Sequence, residues 1–293
     1  MDTDHGAIGL RAIDAALLPA FVPYLTGDTV RAIGGGMPGL TALGAVTGDL
    51  RACAAVAGRA EGEGLTLSSL YVDPQIRRQG VGSALLEALL AQTGPRRTEA
   101  SWFLPEEEGQ TLAAFLAARG FRAETDETPI CRLDMAMLRR VPSVRRAFSP
   151  AFRPDGNIVP FDRLTPEELA DLEADPSIDP RLRPGQAAGR LTPQLSFCYR
   201  YRGRIAAYFL CGQTGPDALA VLAAVSRQGA HPAAFLQLVT AAIHQGLIWF
   251  GGDFVCWLEA LNDTSLALAR TISGGTLQLW REGRASLELE RLG

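Results

Sequence analysis

The stretch from Leu65 to Leu90 does most to limit what this chain can become. An alternating apolar strand, Leu67-Ser68-Ser69-Leu70-Tyr71-Val72, runs into Asp73-Pro74-Gln75-Ile76-Arg77-Arg78-Gln79-Gly80-Val81-Gly82-Ser83 and then into an amphipathic helix. Pro74 has no N–H to give to a ladder, so the strand stops there. Gly80 and Gly82 let the backbone turn with its amides converging, while the first N–H groups of the helix lack intrahelical partners and sit at the positive end of its dipole. Such a junction is an anion site, and Arg77 and Arg78 add full charges beside it. Ala84, Leu85, Ala88 and Leu89 recur at three- and four-residue steps, which lays the helix on a core and holds its N-terminus still.

Two other phosphate loops do not fit. The Walker pattern requires Gly-Lys-Ser/Thr at the helix entry, whereas Ser83 and Ala84 follow Gly82 here. The dinucleotide fingerprint requires a third glycine where this chain has Leu85.

Arg77-x-x-Gly80-x-Gly82 resembles the Arg/Gln-x-x-Gly-x-Gly/Ala signature of the GNAT superfamily of acyl-CoA-dependent N-acetyltransferases. Leu70-Tyr71-Val72-Asp73-Pro74 is similar to that family's strand ending, and Ala113-Ala114-Phe115-Leu116-Ala117-Ala118-Arg119-Gly120-Phe121 to its late helix closing on Gly-Phe. The resemblance implies acetyl-CoA as co-substrate. Leu70, Tyr71 and Val72 would pair through their backbone with the pantetheine arm, a strand addition to an open edge. Arg77, Arg78, Gln79, Gly80, Val81, Gly82 and Ser83 would hold the pyrophosphate.

Composition narrows the setting. The 293 residues suffice for about two domains. Apolar runs such as Ala52 to Ala57 are too short to span a membrane, and Met1-Asp2-Thr3-Asp4-His5 lacks the pattern of a secretion signal, so a cytoplasmic protein without membrane partners is expected. Cys53, Cys131, Cys198, Cys211 and Cys256 are scattered singly and read as small buried residues, with neither a disulfide framework nor a metal pattern. The formal charge of -4 argues against nucleic acid as a partner. A homodimer is compatible with all of this.

The expected fold is mixed α/β (α+β), built as two tandem GNAT-like domains, each a mostly antiparallel sheet flanked by helices. Residues 1–138 form the domain with the acyl-CoA site, 139–155 a basic, proline-containing linker (Arg139, Arg140, Pro142, Arg145, Arg146, Pro150, Arg153, Pro154), and 156–293 a second copy. The first half reads as strands at 7–13, 41–47, 51–58, 66–72, 98–103 and 130–136, with helices at 15–24, 82–92 and 110–119. The second half repeats the order, with a capped helix after Thr165-Pro166-Glu167-Glu168, a helix over 232–245 and a closing hairpin. Its cradle position reads Arg227-Gln228-Gly229-Ala230-His231-Pro232, a shorter loop with a single glycine, so this copy is expected to be degenerate. Asn262 stands where the family often has a cofactor contact and also suits a helix cap; His231 and His244 suit capping or surface roles.

The chemistry is less well marked. The resemblance implies a backbone N–H between Leu70 and Val72 to polarise the thioester carbonyl. The family's glutamate base falls at Ser68-Ser69, and its tyrosine acid at Leu116, or at Ala269 in the second half. Tyr71, Glu99, Ser101 and the run Glu106-Glu107-Glu108 are alternative proton carriers, the run also suiting a solvated helix start. Catalytic residues stay unassigned. The reading is an N-acetyltransferase acting on a primary amine by direct attack, set against a non-catalytic acyl-CoA-binding protein. Ala32 to Gly39 is the stretch corresponding to a mobile acceptor loop.

Overall fold

The computed structural model describes residues 8–231, 233–261, 263–275 and 277–289. The chain divides into two compact units, Met1–Asp126 with Glu282–Gly293, and Glu127–Arg281. The first contains β1 (Gly9–Ala12), α1 (Leu18–Phe21), α2 (Gly27–Gly34), β2 (Leu40–Val46), β3 (Ala52–Glu61), β4 (Gly64–Val72), α3 (Val81–Thr93), β5 (Arg97–Pro105), α4 (Glu106–Ala117) and β6 (Arg122–Thr125). The second contains β7 (Ile130–Asp134), α5 (Met135–Leu138), β8 (Ile158–Pro160), α6 (Pro166–Ala174), α7 (Pro184–Ala187), β9 (Phe197–Tyr201), β10 (Arg204–Gly215), β11 (Ala218–Ser226), α8 (Ala234–Trp249), β12 (Val255–Glu259) and α9 (Asp263–Ile272). A long last strand, β13 (Gln278–Glu288), crosses the division.

Each unit is a mixed sheet, mostly antiparallel, with helices against it. In the first, β1 to β4 pair antiparallel in sequence, β4 pairs parallel with β5, and β13 follows β5, its Gly283–Ser286 running antiparallel to Arg122–Thr125 of β6. In the second, β8 to β11 run antiparallel, β11 pairs parallel with β12, and β12 pairs antiparallel with β7. Residues Gln278–Trp280 of β13 complete this sheet against β7. The second unit thus repeats the strand order of the first.

Alternation decides the faces of the first sheet. Ala54 and Val56 join Leu65, Leu67, Trp102 and Leu116 under Val81, Leu85, Leu86 and Leu89 of α3. Ala55 and Ala57 point the opposite way, against Phe21 of α1. Each buried Leu or Phe contributes about 1.5–3 kcal/mol. The buried stripe of α3 includes Leu86 but leaves Ala84 exposed, because the small residue gains less from burial than the leucine two positions on.

Several boundaries differ from those expected. The segment 139–155 packs into the second core through Val141, Val144 and Ala147, between exposed arginines, and His244 holds Ala147 O at 2.8 Å. The helix expected at 15–24 is broken into α1 and a 3-10 turn, Val22–Tyr24, where Pro23 interrupts the N–H ladder. Ala32 to Gly34 belong to α2, capped by Thr26, not to a loop. The closing hairpin is instead the single strand β13. Ala7, Pro232, Asn262 and the N-terminal Met1 to His5 lie outside the described residues.

The first sheet therefore depends on residues from the far end of the chain. A side chain at Gly283 would place its Cβ 2.2 Å from the Trp102 ring on β5. Gly283→Val is expected to cost about 1–3 kcal/mol by overpacking, read as a lower midpoint in urea unfolding. A chain ending at Arg281 is expected to lose cooperative unfolding of the first unit, seen as lost hydrogen-exchange protection in β5 and β6.

Candidate functional site

The site is built where β4 parts from β5. The two strands pair only from Gly64–Leu67 to Arg97–Ala100, so beyond Leu67 the edge of β4 has no strand beside it on that side among the described residues. On its other side β4 keeps register with β3 (Ala54 with Val72, Ala55 with Tyr71, Val56 with Leu70, Ala57 with Ser69) and then slips, pairing Gly58 with Leu67. Ser68 is the extra residue of this bulge, which bends the strand where the edge opens. Hydroxyls fix it: Ser68 Oγ donates to Ala57 O at 3.3 Å, Thr29 Oγ1 donates to Ser68 Oγ at 3.3 Å, and Thr26 and Thr29 lie 2.8 Å apart. Ser69 donates to Tyr24 O at 3.3 Å. Both serines are thus committed to structure.

Past Val72 the chain makes a short 3-10 turn at Pro74–Ile76, capped by the Asp73 carboxylate accepting from Gln75 N at 2.9 Å. Arg78 adopts φ 64° and Gly80 φ 82°, left-handed values that are rare for a side-chain-bearing residue such as Arg78. The conformation sends the chain into α3 with Ala84 N donating to Gly80 O at 3.0 Å. Among the described residues, the backbone amides of Arg78 to Ser83 have no protein acceptor. Nothing lies within 4 Å of where a Gly80 side chain would start, so the mouth is open. The floor is close: a Cβ on Gly82 would sit 3.3 Å from Val72 Cγ2 and 3.4 Å from Phe115 Cε2.

Three arginines surround these amides. Arg77 donates from Nε to Val72 O at 2.9 Å and stacks 5.4 Å above the Tyr71 ring, which ties it to the edge strand. Arg78 is exposed, as is Gln79. Arg119, from the end of α4, lies 4.0 Å over the Phe115 ring, donates to Phe115 O at 3.2 Å and donates to the hydroxyl of Ser83 in the first turn of α3. Its Nε is buried without an acceptor. Leu70, Tyr71, Val72 and residues 77 to 83 are thus brought together, and Arg119 joins them. Arg119 carries little signal of its own in the sequence, where it stands out only as the residue before Gly120-Phe121.

The proton carriers are sparser. Leu116 and Ala269 are fully buried in the cores and offer no donor. Glu106, Glu107 and Glu108 form the first turn of α4. Glu99 sits on β5 opposite Thr66 at the last paired rows, 2.5 Å from Arg97, with Ser101 two residues on. Burial pushes the Cys131 thiol up to about 11 and Cys256 up to about 12, so these cysteines stay protonated.

The equivalent junction of the second unit is spent on itself. Arg227 is buried, donating to Asp175 at 2.5 Å, to Asp171 at 2.5 Å and to Ile205 O at 3.0 Å. Ala230 N donates to Arg227 O, Ala234 N to His231 O, and Ala233 N to His231 Nδ1 at 3.1 Å, so this histidine caps the helix entry.

Residues 43–123 match the family model for the acetyltransferase (GNAT) domain. No curated protein matches this sequence. The solved structures it is similar to include a tandem GNAT protein from the clavulanic acid biosynthesis pathway (17% identity, covering 96% of this chain and 98% of that one, TM-score 0.46). Another is a GCN5-related N-acetyltransferase from Sphaerobacter thermophilus (15%, 96% and 95%, TM-score 0.44). A third, PaiA N-acetyltransferase from Thermoplasma acidophilum in complex with coenzyme A, covers 41% of this chain and 93% of that one at 13% identity and TM-score 0.32. The family match lies within the first unit and spans the junction between β4 and α3.

Hydrogen bonds from the Ser177 side chain and backbone, then Arg227, hold the Asp175 carboxyl down to about 2. A carboxyl lowered in the folded state stabilises it fully above the unfolded value of about 3.9, and that stabilisation is lost as pH falls through about 2. Asp175→Asn is expected to lower the urea midpoint at pH 7, with the gap to wild type closing between about pH 4 and pH 2.

Proposed function

We propose that this chain is an acetyl-CoA-dependent N-acetyltransferase that moves an acetyl group to a primary amine by direct attack in a ternary complex, with the cofactor site in the first unit. The reading is carried by the uncommitted amides of residues 78 to 83 beside an unpaired β4 edge. A diphosphate has the charge and the acceptors that this set of donors lacks. Arg77 and Arg119 flank it, the latter with a buried Nε that has no other acceptor. The pantetheine arm would add as a strand to Leu70–Val72, and a backbone N–H there would polarise the thioester carbonyl. The second unit is read as a degenerate GNAT-like copy, its arginine neutralised by Asp171 and Asp175. No helix among the described residues is long and apolar enough to cross a membrane, and a cytoplasmic setting belongs to the same proposal.

The burial of Leu116 favours a second reading, a protein that binds acyl-CoA without transferring the acyl group. Thiol release over a panel of amines separates the two: a panel that stays silent while acetyl-CoA binds supports the binding protein.

Titration calorimetry tests the cofactor site. Gly82→Trp is expected to abolish acetyl-CoA binding, because its side chain must displace Val72 and Phe115. Arg119→Gln is expected to weaken binding about 10- to 100-fold, the scale of a lost charge-assisted hydrogen bond. Absence of heat from the wild type would overturn the proposal.

A further inference from the structure

The face of the first sheet that carries Glu99 has a groove with no role so far. Its volume is about 470 Å³, and it is lined by Thr66 of β4, Arg97, Glu99 and Ser101 of β5, Arg122 and Glu124 of β6, and Arg284 and Ser286 of β13. Along β5, Thr98, Ala100 and Trp102 are buried toward α3 and α4, so Arg97, Glu99 and Ser101 alternate to the opposite face. The groove begins at the last paired rows of β4 and β5, Thr66–Glu99 and Leu67–Ala100. Ser101 is the first β5 residue past them. The groove floor therefore reaches the point at which the cleft between the strands opens.

Its charges are mixed and ordered. Glu124 lies opposite Arg284 in the strand register, 2.9 Å from it and 3.5 Å from Arg122. Glu99 has Arg97 at 2.5 Å. Three guanidinium groups face two carboxylates, leaving the groove one positive charge in excess, and the Arg284 side chain is 81% exposed with donors to spare. The acid nearest the opening of the cleft is Glu99, and the excess charge lies toward β13 and β6. A ligand that matches this order has an ammonium at one end and a carboxylate at the other, at the scale of a single small molecule.

We propose that this groove seats the acceptor and that the acceptor is an amino acid or a similar amine bearing a carboxylate, an inference that rests on the acetyl-transfer reading above. The carboxylate binds Arg284, with Arg122 adding charge, and the ammonium lies toward Glu99 and Ser101. Glu99 takes one proton from the ammonium. The neutral nitrogen then attacks the thioester carbonyl, the new C–N bond forms as the C–S bond breaks, and the second proton lost by nitrogen ends on the departing thiolate. The products are the N-acetyl amino acid and free coenzyme A thiol, and the proton on Glu99 passes to solvent.

Thiol release by the full chain is compared for matched pairs, phenylalanine with phenethylamine and lysine with cadaverine, while calorimetry with acetyl-CoA is run on each variant. The amino acids are expected to exceed their decarboxylated partners in kcat/KM at least ten-fold. Arg284→Gln is expected to raise KM for the amino acids about ten-fold more than for the decarboxylated amines, with Arg284→Lys recovering part of the loss. Glu99→Gln is expected to lower kcat rather than raise KM. Preserved acetyl-CoA affinity shows that each variant is folded. Preference for the decarboxylated amines or for a protein lysine, or an Arg284→Gln variant with unchanged amino-acid KM, overturns the acceptor assignment and leaves the transferase standing. A wild type that does not bind acetyl-CoA overturns both.

Discussion

The first unit depends on β4 and β5 being parallel and pairing for only part of their length. Hydrogen bonding from Gly64–Leu67 to Arg97–Ala100 fixes the strands, and its end beyond Leu67 leaves one strand edge unsatisfied. An unpaired edge inside a sheet costs hydrogen bonds unless something else supplies them. The bulge at Ser68, held by Thr29 and by Ala57 O, makes that end abrupt. The turn into α3 follows the open edge, so strand edge and helix N-terminus lie on one stretch of chain, separated by Asp73, Gln75 and Ile76, whose amides already have acceptors.

The two units show what such a junction becomes when its groups are spent. In the first, amides 78 to 83 have no protein acceptor and Arg77 is held by the edge strand itself. In the second, the loop is shorter, its amides close on their own carbonyls and on His231, and Arg227 is drawn inward by two aspartates. A buried arginine with two carboxylates is costly to break, because removing one partner leaves a charge uncompensated. The second junction is locked by an interaction that commits Arg227 to protein carboxylates.

What could be read from the sequence was mostly local. Pro74, Gly80 and Gly82 specify a strand stop and a helix start within a dozen residues, and Thr165 with Glu168 closes a capping box through nearest neighbours. Non-local pairing was hidden. Nothing in Gln278–Glu288 says that its first residues pair with β7 and its last with β6, because strand partners are set by register and burial, not by the strand's own sequence. The burial within 139–155 is hard to read for a related reason: its arginines are conspicuous, whereas Val141, Val144 and Ala147 between them carry the burial. Arg119 reaches the cradle only because α4 returns beside the first turn of α3, a tertiary fact.

The missing tyrosine and glutamate weigh differently in the chemistry. A thiol has a pKa of about 8.5 and an alkylammonium about 10.4, so near neutral pH the thiolate is the better leaving group and only about one amine in a thousand is free to attack. Once the nitrogen has attacked, its remaining proton is acidic enough to pass to the thiolate, and a dedicated acid at Leu116 adds little. Freeing the amine is the harder requirement, and it needs a base on the acceptor face. In the proposed reaction that base is Glu99, which strand alternation turns to the groove face beside Arg97. A site that keeps the base and dispenses with the acid is consistent with a leucine buried in the core where the family often has tyrosine.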